Sequence, residues 1–306
     1  FLLGEALREG AGEVMTFGAA GSNHALATAV YARQAGLGSL SMLRPQPNAR
    51  YVRKNLLLSR AAGAELHYYP DDVSLQRGVD DQCRIHAEIT GVSPWIIPMG
   101  GTSPLGTAGF VNAAFELRDQ VREGLLPEPD LMYAALGSMG TVTGLLLGLR
   151  AAGFKTRMYA VRVVAESIAC RDAVRELFHG ANRLLHDADP SFPLLDFPEE
   201  QLIVRNEFFG EQYALFTREG MTAVQRMRDA EGITLDGTYT GKTFAALMRD
   251  AGQGELRNRT ILFWNTLNSR DFSERIRNAY YHGLPEEFHR FFEEDVQPLD
   301  REDIHP

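Results

Sequence analysis

Val14-Met15-Thr16-Phe17-Gly18-Ala19-Ala20-Gly21-Ser22-Asn23-His24 is the stretch that decides how this chain folds. Its first four residues are apolar or β-favouring and read as a buried strand. Small residues and two glycines then turn the chain. From Ser22 a helix begins, with helix formers from Ala25 to Ala35 and Gly36 as its stop. A strand that runs through glycines into a helix gathers unpaired backbone N–H groups at one point. The helix dipole adds partial positive charge there. Ser22, Asn23 and His24 bring a hydroxyl, an amide and an imidazole to the same place. The stretch predicts a cradle for an anion, although an ordinary helix start capped by Ser22 or Asn23 has the same local signature.

Outward from this stretch, strand and helix alternate. Strands are expected over 39–43, 65–69 and 95–99, with helices over 51–62 and 74–90 between them. A second series follows. Helix 107–122 leads through Pro127-Glu128-Pro129 to strand 131–136, an apolar helix to 152 and strand 157–164. Helices are expected over 167–187, 222–230 and 240–249, and a closing strand over 261–264. From Gly283 the chain is acidic and reads as a short helix and a surface tail. The alternation predicts two doubly wound α/β/α domains with mostly parallel sheets. Residues 1–115 would form the smaller domain and 116–306 the larger. No internal repeat is visible in the sequence.

Composition narrows the function. The 306 residues carry a net charge of −9, which argues against nucleic acid as a partner. No apolar run approaches a membrane span and no signal peptide is visible, so a cytoplasmic location is expected. Cys83 and Cys170 lie far apart without metal-ligand spacing, so no metal is expected.

Gly137-Ser138-Met139-Gly140-Thr141 joins a buried strand to a helix and is the sharpest chemical signal. Its amides, with the hydroxyls of Ser138 and Thr141, could wrap a phosphate. It is not a P-loop, because no Gly-Lys-Ser/Thr follows. It lacks the G-x-G-x-x-G spacing and the acidic residue that would hold a ribose. A single phosphate fits better than a nucleotide. Two anion cradles on two α/β units suit a ligand with a phosphate at one end and a carboxylate at the other.

The motifs in order are Ser22-Asn23-His24, residues 55–64, Gly100-Gly101-Thr102-Ser103-Pro104-Leu105-Gly106, Gly137-Ser138-Met139-Gly140-Thr141 and Tyr239-Thr240-Gly241-Lys242. With them the sequence resembles the 1-aminocyclopropane-1-carboxylate deaminase / D-cysteine desulfhydrase family of pyridoxal-phosphate enzymes, which have the tryptophan-synthase-β-like fold (fold type II). The resemblance implies a pyridoxal 5'-phosphate cofactor, a small amino-acid substrate and a homodimer. It implies that Asn23 bonds the ring hydroxyl, that Ser22, Asn23 and His24 hold the substrate carboxylate, and that Gly137, Ser138, Met139, Gly140 and Thr141 bind the phosphate. Ser22 and Tyr239 would be catalytic, Thr240 would face the pyridine nitrogen, and Lys242 would have no chemical role.

Three departures stand out. Gly21 replaces the family's glutamine. Asn265-Thr266-Leu267-Asn268 replaces its His-Thr-Gly-Gly. The resemblance implies a Schiff-base lysine upstream of Phe1, and Lys54, Lys155 and Lys242, the only lysines here, are not placed to substitute for it. A neutral hydroxyl at position 240, where ring-opening relatives carry glutamate, points to β-elimination from a D-cysteine-like substrate. The alternatives are 1-aminocyclopropane-1-carboxylate deamination and a non-catalytic protein that binds pyridoxal phosphate or an amino acid.

Overall fold

The computed structural model describes residues 1–268 and 270–301. It divides the chain into two compact units. The first comprises Phe1–Gly101 and Arg270–Arg301, and the second begins at Thr102 and runs through residue 268. The division expected near 115 thus falls earlier, ahead of a helix rather than within it.

The first unit runs α1 (Leu2–Arg8), β1 (Glu13–Ala19), α2 (Asn23–Gln34), β2 (Gly38–Arg44), α3 (Arg50–Ala61), β3 (Glu65–Tyr68), α4 (Asp72–Thr90) and β4 (Trp95–Ile97). The second runs α5 (Pro104–Arg122), β5 (Leu131–Leu136), α6 (Gly140–Ala151), β6 (Arg157–Arg162), α7 (Arg171–Ala188), β7 (Leu202–Arg205), α8 (Arg218–Glu231), α9 (Thr240–Gly252) and β8 (Ile261–Phe263). Each unit has one four-stranded sheet, in the orders β3-β2-β1-β4 and β7-β6-β5-β8, with every pair parallel. Although the sequences do not repeat, the strand order does. In each sheet the order reverses beside one strand, β1 or β5. Ligands of doubly wound sheets bind at the carboxyl ends of strands at such a reversal. Both glycine turns singled out in the sequence lie at those two ends.

The second unit's core explains how its turn is held. Residues 132, 134 and 136 of β5 and 158 and 160 of β6 are buried with α5, α6 and α7. Residues 131, 133 and 161 are buried on the other face, with α8 and α9. Gly140, Gly144 and Gly148 recur every four residues along α6, so α5 can lie against its backbone. A Cβ on Gly144 would stand 2.5 Å from Thr107 O, and one on Gly148 would stand 2.6 Å from Ala114 Cβ.

Two elements depart from the sequence expectation. β7 was not anticipated, because Leu202–Arg205 is a short edge strand behind a proline-rich loop. The segment after Gly283 is not a surface tail. With α10 (Ser273–Ile276), α11 (Arg290–Glu293) and α12 (Pro298–Arg301) it packs into the first unit. Leu284, Phe288 and Phe291 are buried, and Phe288 meets Tyr68 edge-on at 5.6 Å. The carbonyls closing α11 are capped from elsewhere in the chain. Arg53 Nε donates to Phe291 O at 2.6 Å, and Asn48 Nδ2 donates to Phe291 O and Glu294 O at 3.0 Å. No described helix is long and apolar enough to cross a membrane.

The α5–α6 contact makes a direct prediction. Gly144→Ala should destabilise the protein by about 1–3 kcal/mol in chemical denaturation, because the new methyl meets a carbonyl oxygen that cannot move aside cheaply.

Candidate active site

In the first unit, α2 starts where β1 ends. Ser22 is its N-cap, and its Oγ accepts the Ala25 amide at 3.1 Å, which leaves the hydroxyl proton unspent. The amides of Asn23 and His24 have no partner among the described residues. The Gly21 amide is taken by Gln46 Oε1 at 2.7 Å. A side chain at Gly21 would have no room, since its Cβ would stand 2.7 Å from the Tyr51 ring and 2.8 Å from Val52 Cγ2.

Asn55, buried on α3, sets the direction of the Asn23 amide. Its Nδ2 donates to Gly21 O at 2.9 Å and to Asn23 Oδ1 at 2.8 Å. Gly21 O can only accept, so the Asn55 atom facing it is the nitrogen, and the Asn23 atom facing that nitrogen is the oxygen. Asn23 therefore turns its N–H groups outward from an exposed position. His24 is half-buried, and burial pushes its imidazole down to about 4. It is neutral near pH 7 and carries no charge with which to attract a carboxylate.

In the second unit, the turn from β5 into α6 is strained. Met139, the N-cap of α6, has φ 76°. Among the described residues only Met139, Ala214 and Asn258 are non-glycine with positive φ. Met139 lies in the candidate cradle and Ala214 adjoins Tyr213, so two of these three conformations sit at the candidate site. Such strain persists only where the surroundings enforce it. The first α6 amide bonded to a carbonyl of this turn is that of Thr143, to Met139 O at 2.9 Å. The amides of Gly140, Thr141 and Val142 and the hydroxyls of Ser138 and Thr141 have no partner among the described residues. Thr102 Oγ1 donates to Ser138 O at 2.5 Å and pins the turn.

The start of α9 adjoins this turn. A Cβ on Gly137 would stand 3.4 Å from Tyr239 Cε1. Tyr239 Oη is 2.5 Å from Tyr213 Oη, so one phenol donates to the other. Burial raises the Tyr213 phenol above its usual range, against the opposing effect of the Tyr239 hydrogen bond. Thr240 is 1% exposed, and its hydroxyl does not stand alone. It donates to Asp236 Oδ2 at 2.7 Å and accepts the Asp236 amide at 2.9 Å. Asp236 also accepts the amides of Thr238, Tyr239 and Thr240. Thr240 thus has a carboxylate behind it, which the sequence reading did not include. Lys242 is wholly buried, donates from Nζ to Phe209 O at 2.6 Å, and is pushed by burial down to about 8. Lys54 and Lys155 are exposed.

The donor set fits a phosphate. Three amides at a helix N-terminus and two hydroxyls stand without partners over a glycine turn. Among the described residues no group of three or more His, Cys, Asp or Glu could hold a metal ion.

Comparison with known proteins agrees with this chemistry. The chain belongs to the pyridoxal-phosphate dependent enzyme family, whose model matches residues 1–266. Among its relatives are 1-aminocyclopropane-1-carboxylate deaminase and D-cysteine desulfhydrase homologues and the nocardicin C-9' epimerase of Nocardia uniformis, which is 31% identical over 282 residues, 90% of this chain and 81% of that one. A Pyrococcus abyssi protein named as a candidate 1-aminocyclopropane-1-carboxylate deaminase is 32% identical over 268 residues, 87% of this chain and 77% of that one. The D-cysteine desulfhydrase of Serratia proteamaculans is 30% identical over 272 residues, 87% of this chain and 79% of that one. The crystal structure of an ACC deaminase homologue aligns with a TM-score of 0.72 at 29% identity, covering 96% of this chain and 81% of that one. The fold is that of the fold type II pyridoxal-phosphate enzymes.

The sequence singled out both turns, Tyr239 and Thr240. It missed Asn55, which opens one of the motifs, as a positioning group, and also Tyr213, Asp236 and Thr16, because a motif does not say which side chains bond one another.

His24 predicts a pH dependence. Its pKa is depressed in the folded state from the ordinary 6.5 to about 4. The unfolded chain therefore binds the extra proton first, and stability falls as pH drops from about 6.5 toward 4. Wild type should lose up to about 3 kcal/mol more over that window than His24→Gln, read from urea unfolding. Equal losses would mean that the imidazole is not sheltered.

Proposed function

We propose that the protein catalyses β-elimination from a small amino acid, in the manner of a D-cysteine desulfhydrase, with release of ammonia and a 2-oxo acid. The observation that carries this is the cradle at α6: free amides and hydroxyls beside the Tyr239 ring, in a chain of the pyridoxal-phosphate family. The substrate class is taken from the Serratia relative.

Bound pyridoxal phosphate withdraws electrons from the α-carbon of the amino acid. The residues of this chain bind and orient the ligand and supply one proton, and the Schiff-base lysine is not among them. Gly137, Ser138, Met139, Gly140 and Thr141 bind the phosphate. Asn23 donates an N–H to the ring hydroxyl. Ser22, with its unspent proton, and the free amides of Asn23 and His24 hold the substrate carboxylate. Tyr239, hydrogen-bonded to Tyr213, supplies a proton to the group leaving the β-carbon. Thr240 would face the ring nitrogen, and it offers an oxygen lone pair there because its own proton goes to Asp236.

Asp236 also favours a second reading, ring opening of 1-aminocyclopropane-1-carboxylate. An acceptor backed by a carboxylate would favour a protonated ring nitrogen and stronger electron withdrawal by the cofactor, which suits ring opening.

One assay separates the two. A form of the protein that carries the family's Schiff-base lysine, supplied with pyridoxal phosphate, is given D-cysteine, β-chloro-D-alanine, their L-isomers and 1-aminocyclopropane-1-carboxylate, with sulfide, chloride and 2-oxo acid as readouts. The D-configured β-substituted substrates should turn over fastest. Preferred turnover of the cyclopropane would select the second reading instead, and turnover of none would reject both.

A further inference from the structure

Two hydrogen bonds of one buried threonine decide which nitrogen of His24 carries its proton. Thr16 lies within β1 and is fully buried. Its Oγ1 is 3.1 Å from Ile97 O and 2.9 Å from His24 Nε2. A carbonyl oxygen can only accept, so both contacts form together only if Thr16 donates to Ile97 and His24 donates to Thr16. The neutral imidazole is then protonated on Nε2, and Nδ1 presents a lone pair. Nδ1 has no partner among the described residues, and it is not among the unpartnered side-chain atoms sealed from solvent. Gly101 gives it room. A Cβ there would stand 3.1 Å from His24 Cε1 and 3.6 Å from Nδ1. The turn into α2 therefore offers donors from Ser22 and Asn23 and one fixed acceptor from His24.

We propose that Thr16 is a positioning residue that fixes His24 as an acceptor, and that Nδ1 selects an amino acid bearing an O–H or S–H donor on its side chain. The selection rests on the amino-acid lyase reading above. A carboxylate meets the donors of this turn and is repelled by the Nδ1 lone pair. A side-chain hydroxyl or thiol has the proton that Nδ1 lacks. Alanine and the cyclopropane amino acid have no such proton and gain nothing there.

Two measurements test this. The first is imidazole 15N–1H correlation spectroscopy on 15N-labelled protein at pH 7. His24 should show the Nε2–H tautomer in wild type and a mixture in Thr16→Val. An Nδ1–H tautomer or an imidazolium in wild type would overturn the proposal, even if the variant failed to fold. The second is calorimetric binding of serine and alanine, each as both enantiomers, to the protein loaded with pyridoxal phosphate. Wild type should favour serine by about tenfold, the worth of one hydrogen bond between uncharged groups. Thr16→Val and His24→Leu should each bring serine down to the level of alanine. Equal binding of both by wild type, parallel losses in the variants, or binding of neither would overturn it. Failure of the lyase reading has a different signature, in which serine preference persists but no 2-oxo acid is released from any β-substituted substrate.

Discussion

The amides that open α2 and α6 have no carbonyl to bond, and the candidate chemistry is arranged around that shortage. A helix that starts at the carboxyl end of a parallel strand cannot pair its first-turn N–H groups internally. The two turns here are too tight and too glycine-rich to cover them. Each unit places such a start where its strand order reverses, beside β1 and beside β5. An anion is the cheapest partner for amides held this way, since it also meets the helix dipole. The close contact of α5 with the glycine stripe of α6, the pinning of Ser138 by Thr102 and the positive φ of Met139 all hold the second turn in its amide-out form.

Beyond the amides, partners set the direction of three side-chain hydrogen bonds, two in the first unit and one in the second. Asn55 turns the N–H groups of Asn23 outward. Asp236 takes the proton of Thr240, and Ile97 takes that of Thr16. In each case a group that can only accept sits at the closed end, so the group at the open end has its role fixed before any ligand arrives. Such preorganisation costs nothing at the moment of binding, and it makes the site selective for the protonation state of what it meets.

Much of this was legible in the sequence, and what was not has a physical reason. Strand–glycine–helix punctuation at 14–24 and 131–141 marked both turns, because local backbone chemistry alone dictates them. Alternation gave the parallel α/β sheets. β7 escaped because a four-residue edge strand carries too little pattern. The C-terminal segment reads as surface because it is acidic and lacks strand signals. Its few large apolar side chains nevertheless bury, and its carbonyls are capped by Arg53 and Asn48, more than two hundred residues away in sequence. Thr240 was legible as a position but not as a chemical state, since its state depends on a turn of the chain that brings Asp236 to it.

The central claim is that the first-turn amides of α6 hold a phosphate. A crystal structure of the protein with pyridoxal phosphate tests it most directly. The phosphate should lie against the amides of Gly140, Thr141 and Val142, with the hydroxyls of Ser138 and Thr141 on its oxygens. A phosphate bound elsewhere, with those amides facing only water, would contradict the account.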